Sequence, residues 1–212
     1  MSRLRVVVAT RSEHKLRELR QLLGPVDVDL MTLDDAGVEP GLEPVEDGRT
    51  FGANARLKAR FYAARTGLPT LADDSGLEVD ALGGGPGVRT KRYAGEDATD
   101  ADNNRKLLRE LDGLPPDGRT ARYVCVLVLA LPSGPGTDRP RVVAETRGTC
   151  RGRIAVAPRG TAGFGYDPVF EPAVEPVDGR TFGEWTAEAK NAISHRAKAA
   201  RRMGRRLVAL AG

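Results

Sequence analysis

A short apolar run that leads directly into an amphipathic segment is the feature that most limits how this chain can fold. Leu4 to Ala9 is apolar apart from Arg5, a pattern typical of a buried strand. The segment after it repeats leucine at helical spacing until Gly24-Pro25 ends the pattern. A strand followed at once by a helix buries both apolar surfaces only in a layered structure, so the pattern predicts an α/β fold.

The rest of the chain first continues this alternation and then changes to longer strands. Further strands are predicted over residues 26–32, 68–72, 122–131 and 142–148, with a hairpin loop at 132–140. Helices are predicted over residues 50–65, 102–111 and 186–210. Thr50 and Gly67 are the expected caps of the first, and the last is expected to break at Ser194. No internal repeat or low-complexity segment divides the sequence, so we expect one domain over residues 1–212 with a mixed sheet.

Charge and cysteine content narrow the class of protein. The 212 residues include 33 lysines and arginines against 29 acids, a net charge of +4. This mild excess is compatible with anionic small molecules and is weak evidence for nucleic acid. Cys125 and Cys150 lack the spacing of a disulfide framework or zinc site. The N-terminal apolar run is too short for a signal peptide, and no run approaches the roughly 20 residues of a membrane span, so we expect a cytoplasmic protein.

Two adjacent carboxylates, Asp73 and Asp74, follow the apolar segment at residues 68–72. We expect the strand to end there, with one carboxylate pointing inward and the other outward, because side chains alternate along a strand. Carboxylates hold Mg²⁺, which usually binds together with phosphate. The pair therefore predicts a magnesium site on Asp74, with Glu43 or Glu46 from an acidic loop as its partner. The alternative is a turn capped by its own aspartates.

A strand-to-helix turn supplies the groups that phosphate needs. Its residues are Thr10, Arg11, Ser12, Glu13, His14 and Lys15. Free backbone N–H groups at a helix start, two hydroxyls and one lysine suit a triphosphate. Ordinary helix capping beside a solvated lysine is the alternative interpretation.

Two later segments have the composition of a base-binding site. Residues 160–168 are rich in glycine, with Phe164 available to stack on a ring and Asp167 available to accept hydrogen bonds. Residues 190–196 bring three donors together, namely Lys190, His195 and Arg196. The alternatives are a glycine-rich turn with core aromatics for the first segment and a solvated basic face for the second.

Several nucleotide-binding motifs are absent from the sequence. No G-x-x-x-x-G-K-[ST] occurs, which excludes a Walker-type NTPase, and the glycines at 83–87 lack Rossmann spacing. The two histidines, His14 and His195, are too few for a histidine-based metal cluster.

Taken in order, these segments resemble the inosine triphosphate pyrophosphatase family, the Ham1-like enzymes. The resemblance runs from about Val6 to the C-terminal helix. It is carried by six segments, at residues 9–19, 46–59, 72–77, 82–88, 163–170 and 190–196.

The resemblance implies a fold, a reaction and a cofactor. The fold is an elongated mixed sheet flanked by helices in two lobes with a nucleotide cleft between them, in an enzyme that is usually a homodimer. The reaction cuts ITP, dITP or XTP between the α- and β-phosphates with Mg²⁺, and gives the monophosphate and pyrophosphate. Neither nucleic acid nor membrane is expected as a partner.

The resemblance also implies roles for particular residues. Asp74 would be the catalytic carboxylate, which binds metal and accepts a proton, and Glu43 the second metal ligand. The phosphates would bind at Thr10 to Lys15, and Ser75 would touch the substrate. The implied base-binding residues are Phe164, Gly165, Tyr166, Asp167, Lys190, His195 and Arg196. Donors at this site favour the 6-oxo group of hypoxanthine over the 6-amino group of adenine, with Arg196 as the stricter filter.

The chain departs from the family pattern at two places. The phosphate turn commonly reads Thr-Gly-Asn-x-x-Lys, whereas here only Thr10 and Lys15 of that pattern remain. Residues 89–93 read Arg-Thr-Lys-Arg-Tyr where the family usually has Tyr-Ser-Ala-Arg-Tyr.

Two other functions compete with this hypothesis. A Maf-like nucleotide pyrophosphatase would act on other bases, but the segments at 164–167 and 194–196 argue against it. A nucleic-acid-binding module would use the basic C-terminal helix, but no aromatic residues are interleaved with its arginines.

Overall fold

The computed structural model describes residues 3–24, 26–134, 139–175 and 178–211. The strands are β1 (Leu4–Ala9), β2 (Val28–Met31), β3 (Thr70–Val79), β4 (Thr120–Leu131), β5 (Arg141–Ile154) and β6 (Phe170–Pro172). The α-helices are α1 (Glu13–Leu23), α2 (Phe51–Thr66), α3 (Asp100–Glu110), α4 (Ala187–Ile193) and α5 (His195–Ala211). No helix among these residues is long and apolar enough to cross a membrane.

The six strands form one mixed sheet in the order β2-β1-β3-β4-β5-β6. β1 runs parallel to β2 on one side and to β3 on the other, in a register that pairs Val7 with Met31 and Ala9 with Ala72. β5 and β6 run antiparallel, with Ile154 opposite Phe170. Parallel neighbours joined through helices and an antiparallel pair in the same sheet confirm the predicted α/β fold with a mixed sheet.

The predicted end of the third strand is wrong. β3 does not stop at Asp73 and Asp74 but passes through them to Val79. Buried Leu77 and Val79 continue the inward face of the strand beyond the two acids. The carboxylates are tolerated inside a strand because cationic side chains from other elements pair with them, which the local sequence does not reveal.

The helix boundaries follow from their caps. Thr50 accepts a hydrogen bond from the backbone N–H of Ala53 (3.1 Å) at the start of α2. At its end Gly67 lies in the left-handed region (φ 66°) and donates to the carbonyl of Ala63, as predicted. The predicted break at Ser194 is also confirmed, because its extended backbone separates α4 from α5. Pro25 and residues 135–138 of the predicted hairpin loop lie outside the described residues.

The fold divides into two compact units, and the divisions fall in or next to β3, β4, β5 and the α4–α5 junction. The first unit comprises Met1–Asp74, Cys125–Gly148 and Arg196–Gly212, and the second comprises Ser75–Val124 and Thr149–His195. The core of the first unit includes Val6, Val8, Leu19, Leu23, Leu71, Leu127 and Met203. The core of the second includes Leu77, Val79, Leu107, Leu111, Ile154, Phe170 and Phe182.

Arg119 is an unusual core residue of the second unit, since its side chain is 3% exposed. Its guanidinium donates to three backbone carbonyls, those of Leu111 (2.6 Å), Ile154 (2.8 Å) and Ala155 (2.9 Å). The Leu111 carbonyl also accepts from the backbone N–H of Leu114 (3.2 Å), and arginine has donors enough to bond all three carbonyls at once. Arg119 therefore ties the C-terminus of α3 to the end of β5.

We predict that Arg119→Met lowers the free energy of unfolding by about 2–4 kcal/mol, because three hydrogen bonds from a buried guanidinium to backbone carbonyls are lost. Arg122→Met is the matched control. Arg122 is half exposed and pairs with Glu78 (2.6 Å), so its loss should change stability by less than about 1 kcal/mol. Urea unfolding of the three proteins measures both, and equal losses in the two variants would contradict the assigned role.

Candidate active site

Asp73 is the most buried acid among the described residues of the first unit, with 2% of its surface exposed. Its Oδ1 lies 2.5 Å from Nζ of Lys15, and its Oδ2 lies 3.2 Å from Nε of Arg196. The thiol of Cys125 also donates to Oδ2 at 3.1 Å. The carboxylate therefore accepts from side chains of α1, β4 and α5 at once.

The charge of Asp73 is balanced by these cations. Burial opposes its ionisation, but Arg196 and Lys15 outweigh burial and hold the pKa of Asp73 well below its usual value. Burial works in the same way against the Arg196 guanidinium, and Asp73 and Glu18 outweigh it, so the pKa of Arg196 is raised. The two cations therefore favour the ionised form of Asp73.

Asp74, the next residue, has a different environment. Its Oδ2 accepts from Nδ2 of Asn54 (3.2 Å), and its Oδ1 lies 3.4 Å from Nζ of Lys58. The Asn54 side chain is fixed in turn, because its Oδ1 accepts from the backbone N–H of Gly48 (2.8 Å). Burial is the largest influence on Asp74 and exceeds the effect of Lys58, so the pKa of Asp74 is raised. Neighbouring carboxylates whose environments push their pKa values apart are typical of acid–base sites.

The acidic loop offers two candidates for a second metal ligand, and they lie in different places. Glu46 lies 3.0 Å from Nζ of Lys58, which also contacts Asp74. Glu43 is 60% exposed in its side chain and lies 3.9 Å from Nε of Arg11. The geometry favours Glu46 over the predicted Glu43, because Glu46 shares a cation with Asp74.

The Asp74 and Glu46 carboxylates are suitable ligands for Mg²⁺. Within the described ranges, no group of three or more His, Cys, Asp or Glu side chains gathers to hold an ion. Mg²⁺ needs only one or two protein carboxylates when phosphate oxygens and water supply its other ligands. Asp74 with Glu46 fits that requirement, and Lys58 contacts both carboxylates.

The predicted phosphate turn is ordered by its own hydroxyls. Thr10 Oγ1 accepts from the backbone N–H of Ser12 (3.1 Å), and Ser12 caps α1 by accepting from that of Lys15 (3.5 Å). Arg11 turns away toward the loop after β2, where it donates to Asp34 (2.9 Å) and to the carbonyl of Glu39 (2.6 Å). This is how the turn is held where the family's glycine and asparagine are missing.

The glycine-rich loop of the second unit is built around Asp167, which is 2% exposed. Its Oδ2 accepts from Nζ of Lys190 (2.7 Å) and from the backbone N–H of Phe164 (2.9 Å). Gly163 has φ +78°, and a Cβ there would collide with the Asp167 carboxylate, so only glycine fits. Lys190 also lies over the Phe164 ring, 4.8 Å from its centroid.

His195 is stacked on a second aromatic ring. Its imidazole lies parallel to Tyr123, with ring centroids 4.6 Å apart and an angle of 8°. The Tyr123 hydroxyl donates to Asp167 (3.4 Å), while Tyr166 donates to the carbonyl of Thr90 (2.9 Å). The predicted base-binding residues Phe164, Asp167, Lys190 and His195 are therefore gathered within one unit.

Arg196 differs from the sequence prediction. It belongs to the first unit, is 1% exposed and pairs with both Asp73 and Glu18. A guanidinium held by the buried carboxylate of Asp73 and the partly buried carboxylate of Glu18 balances charge inside the unit. This placement favours a supporting role over the predicted direct contact with a base.

Sequence reasoning gave no role to several residues that the site uses. Asn54 and Lys58 contact Asp74, and Glu18 pairs with Arg196. Ser75, which the sequence analysis expects to touch the substrate, lies beside Asp74 on β3 and is half-buried. The signal for two of them was present: Asn54 and Lys58 are polar yet share a helix face with the buried alanines of α2. Polar residues on an apolar face are retained where they have partners.

Comparison with known proteins gives one consistent match. The sequence model of the Ham1 family matches residues 6–206. The dITP/XTP pyrophosphatase of Geobacillus kaustophilus is 50% identical over 194 residues, which cover 92% of this chain and 89% of that protein. The dITP/XTP pyrophosphatase of Lactobacillus acidophilus is 44% identical and is matched over 98% of both chains. A solved structure of a HAM1 protein from Coxiella burnetii has a TM-score of 0.82, 38% identity and coverage of 97% and 99%.

The contrast between the two acids yields a stability prediction. Asp73→Asn should lower the free energy of unfolding by about 3–5 kcal/mol, because buried Arg196 loses the carboxylate on its Nε. Asp74→Asn is the matched control and should cost less than about 1 kcal/mol, since burial already disfavours the Asp74 charge. Chemical denaturation of both variants measures these free energies of unfolding. A larger loss of stability in Asp74→Asn than in Asp73→Asn would contradict the structural role given to Asp73.

Proposed function

Because this chain belongs to the Ham1 family, we propose that it hydrolyses non-standard purine nucleoside triphosphates. ITP, dITP and XTP are the proposed substrates, and the monophosphate and pyrophosphate are the products. The curated relatives are named dITP/XTP pyrophosphatases, and they match nearly the full length of this chain.

The observation that carries the proposal is the unequal environment of Asp73 and Asp74. Asp73 is paired with fixed cations that lower its pKa. Asp74 is partly buried, and burial raises the pKa of Asp74 despite the nearby Lys58 and Lys15. A carboxylate with a raised pKa is a better proton acceptor near neutral pH. Asp74 is therefore the proposed base that accepts a proton from the attacking water.

The chemistry needs a positioned water and a stabilised leaving group. The water oxygen bonds to the α-phosphorus, and the bond to the oxygen bridging the α- and β-phosphates breaks. Asn54 holds the Asp74 carboxylate in one orientation as it takes the proton. Lys15 and the backbone N–H groups at the start of α1 are proposed to bind the leaving pyrophosphate. Lys15 keeps donors for this role, because an ammonium has three and Asp73 accepts at one oxygen.

Mg²⁺ is the proposed cofactor, held by Asp74 and Glu46. When bound it supplies Lewis acidity and neutralises phosphate charge. Lys58 contributes a further fixed positive charge beside both carboxylates.

Base selection is assigned to the second unit. Phe164 is proposed to stack on the purine, and the backbone around Gly165, Tyr166 and Asp167 to approach it closely. Lys190 and His195 are proposed to donate to the 6-oxo oxygen of hypoxanthine or xanthine. Adenine presents a 6-amino group, which leaves those donors unpaired and weakens its binding.

The domain organisation, the oligomeric state and the location of the protein are further parts of the proposal. One domain over the chain, a homodimer and a cytoplasmic location rest on the sequence and on family membership. Sedimentation at micromolar protein concentration tests the dimer directly.

A substrate panel with product analysis tests the activity. ITP, dITP, XTP, GTP, ATP and dUTP are incubated with the protein and Mg²⁺, and phosphorus NMR identifies the products. We expect ITP, dITP and XTP to be cleaved in preference to ATP and GTP, with pyrophosphate as the first product. A diphosphate and orthophosphate as primary products would refute the proposal.

The proposed base is tested by Asp74→Asn. We expect turnover of ITP to fall by about 10²–10⁴-fold while the unfolding midpoint stays near that of the wild type. Glu43→Gln is the control, since that exposed acid lies on Arg11 and should leave turnover within about threefold. Near wild-type turnover by Asp74→Asn would remove Asp74 from the mechanism.

A further inference from the structure

Two side chains of helix α3 form hydrogen bonds with the backbone of Gly165 in the glycine-rich loop. The carboxylate of Asp100 accepts from the Gly165 backbone N–H at 2.6 Å, and Nδ2 of Asn104 donates to the Gly165 carbonyl at 3.0 Å. Asp100 and Asn104 are four residues apart, so they lie one turn apart on the same helix face. Both polar groups of Gly165 are therefore held by one rigid element.

The position of Gly165 in the loop makes these two hydrogen bonds important for the loop conformation. It lies between Phe164 and Tyr166, and its φ of +63° is open chiefly to glycine. A residue without a side chain has no packing to hold it, so its hydrogen bonds fix its position. The Asp167 carboxylate anchors the loop at Phe164, and α3 anchors it at the next residue.

The burial of Asn104 also indicates that its role is to hold the loop. It is 7% exposed, and among the described residues its Oδ1 is buried without a hydrogen-bond partner. An unsatisfied buried oxygen lowers stability, so an apolar side chain would serve the core better at this position. The hydrogen bond from its Nδ2 to the Gly165 carbonyl explains why an asparagine stands at this position.

We infer that Asp100 and Asn104 are positioning residues that clamp Gly165 and so hold Phe164 and Asp167 in place for the purine base. This inference rests on the proposed function, in which that loop binds the base. Neither residue touches the substrate. Their loss should therefore weaken binding and selectivity and leave the chemical step at Asp74 intact.

The first test needs no substrate. In hydrogen exchange read by mass spectrometry, Asp100→Ala should speed exchange of the peptide covering residues 160–168. Asp102→Ala is the matched control, because Asp102 lies on the same helix and caps it through Thr99, away from the loop. Unchanged exchange in Asp100→Ala, or equal acceleration in both variants, would overturn the inference.

The second test is kinetic. Asp100→Ala should raise KM for ITP by about 5- to 30-fold with kcat within about threefold, since a charged hydrogen bond is lost at an exposed side chain. Asp100→Asn keeps an acceptor and should restore KM to within about threefold of the wild type. Asn104→Leu should raise KM without lowering the unfolding midpoint. A fall in kcat at constant KM, or wild-type KM in both Asp100→Ala and Asn104→Leu, would refute the positioning role.

The two levels of the argument fail separately. If the wild-type protein releases no pyrophosphate from ITP, the proposed function fails while the exchange result still reports on the clamp. If the wild type is active and the clamp variants match it in KM and in exchange, the inference about α3 fails alone.

Discussion

The ion cluster around Asp73 is the interaction on which the first unit depends. A carboxylate at 2% exposure would be very unfavourable alone, and it is tolerated because Lys15 and Arg196 neutralise it from two helices. Since α1 and α5 are far apart in the sequence, the cluster also fixes where they meet β3. The fold and the site are therefore coupled through one buried charge.

Adjacent positions on one strand give the two acids opposite properties. Alternation along β3 turns Asp73 into the cation cluster and Asp74 toward Asn54 and Lys58 of α2. Arg196 and Lys15 lower the pKa of Asp73, whereas burial raises the pKa of Asp74 and makes it a readier proton acceptor. A charge-paired acid and the proposed catalytic base can be neighbours in this way because the strand needs no bend or break between them.

The second unit also contains a buried aspartate paired with a lysine, and there the pair orders a loop. Asp167 is as buried as Asp73 and is paired with one lysine, Lys190, which also lies over Phe164. Here the buried acid organises a loop, since it accepts from the loop's own backbone as well as from the lysine. Glycines at 163 and 165 make this possible, because the turn around the carboxylate leaves no space for a Cβ at the first and requires positive φ at both.

The sequence by itself determined the elements whose causes are local. The strand at Leu4–Ala9, the caps of α2 and the break at Ser194 follow from apolar runs and capping residues, and all were predicted. The phosphate turn and the glycine-rich loop were also picked out from sequence, because turn and loop chemistry depends on neighbouring residues, and their roles stay predictions. Only the tertiary structure decided that β3 continues through both acids, that Glu46 rather than Glu43 shares Lys58 with Asp74, and that Arg196 pairs with Asp73. Each of these depends on a charge supplied by a distant segment, and the free energy of a buried charge is set by its partners in space, not by its neighbours in the chain.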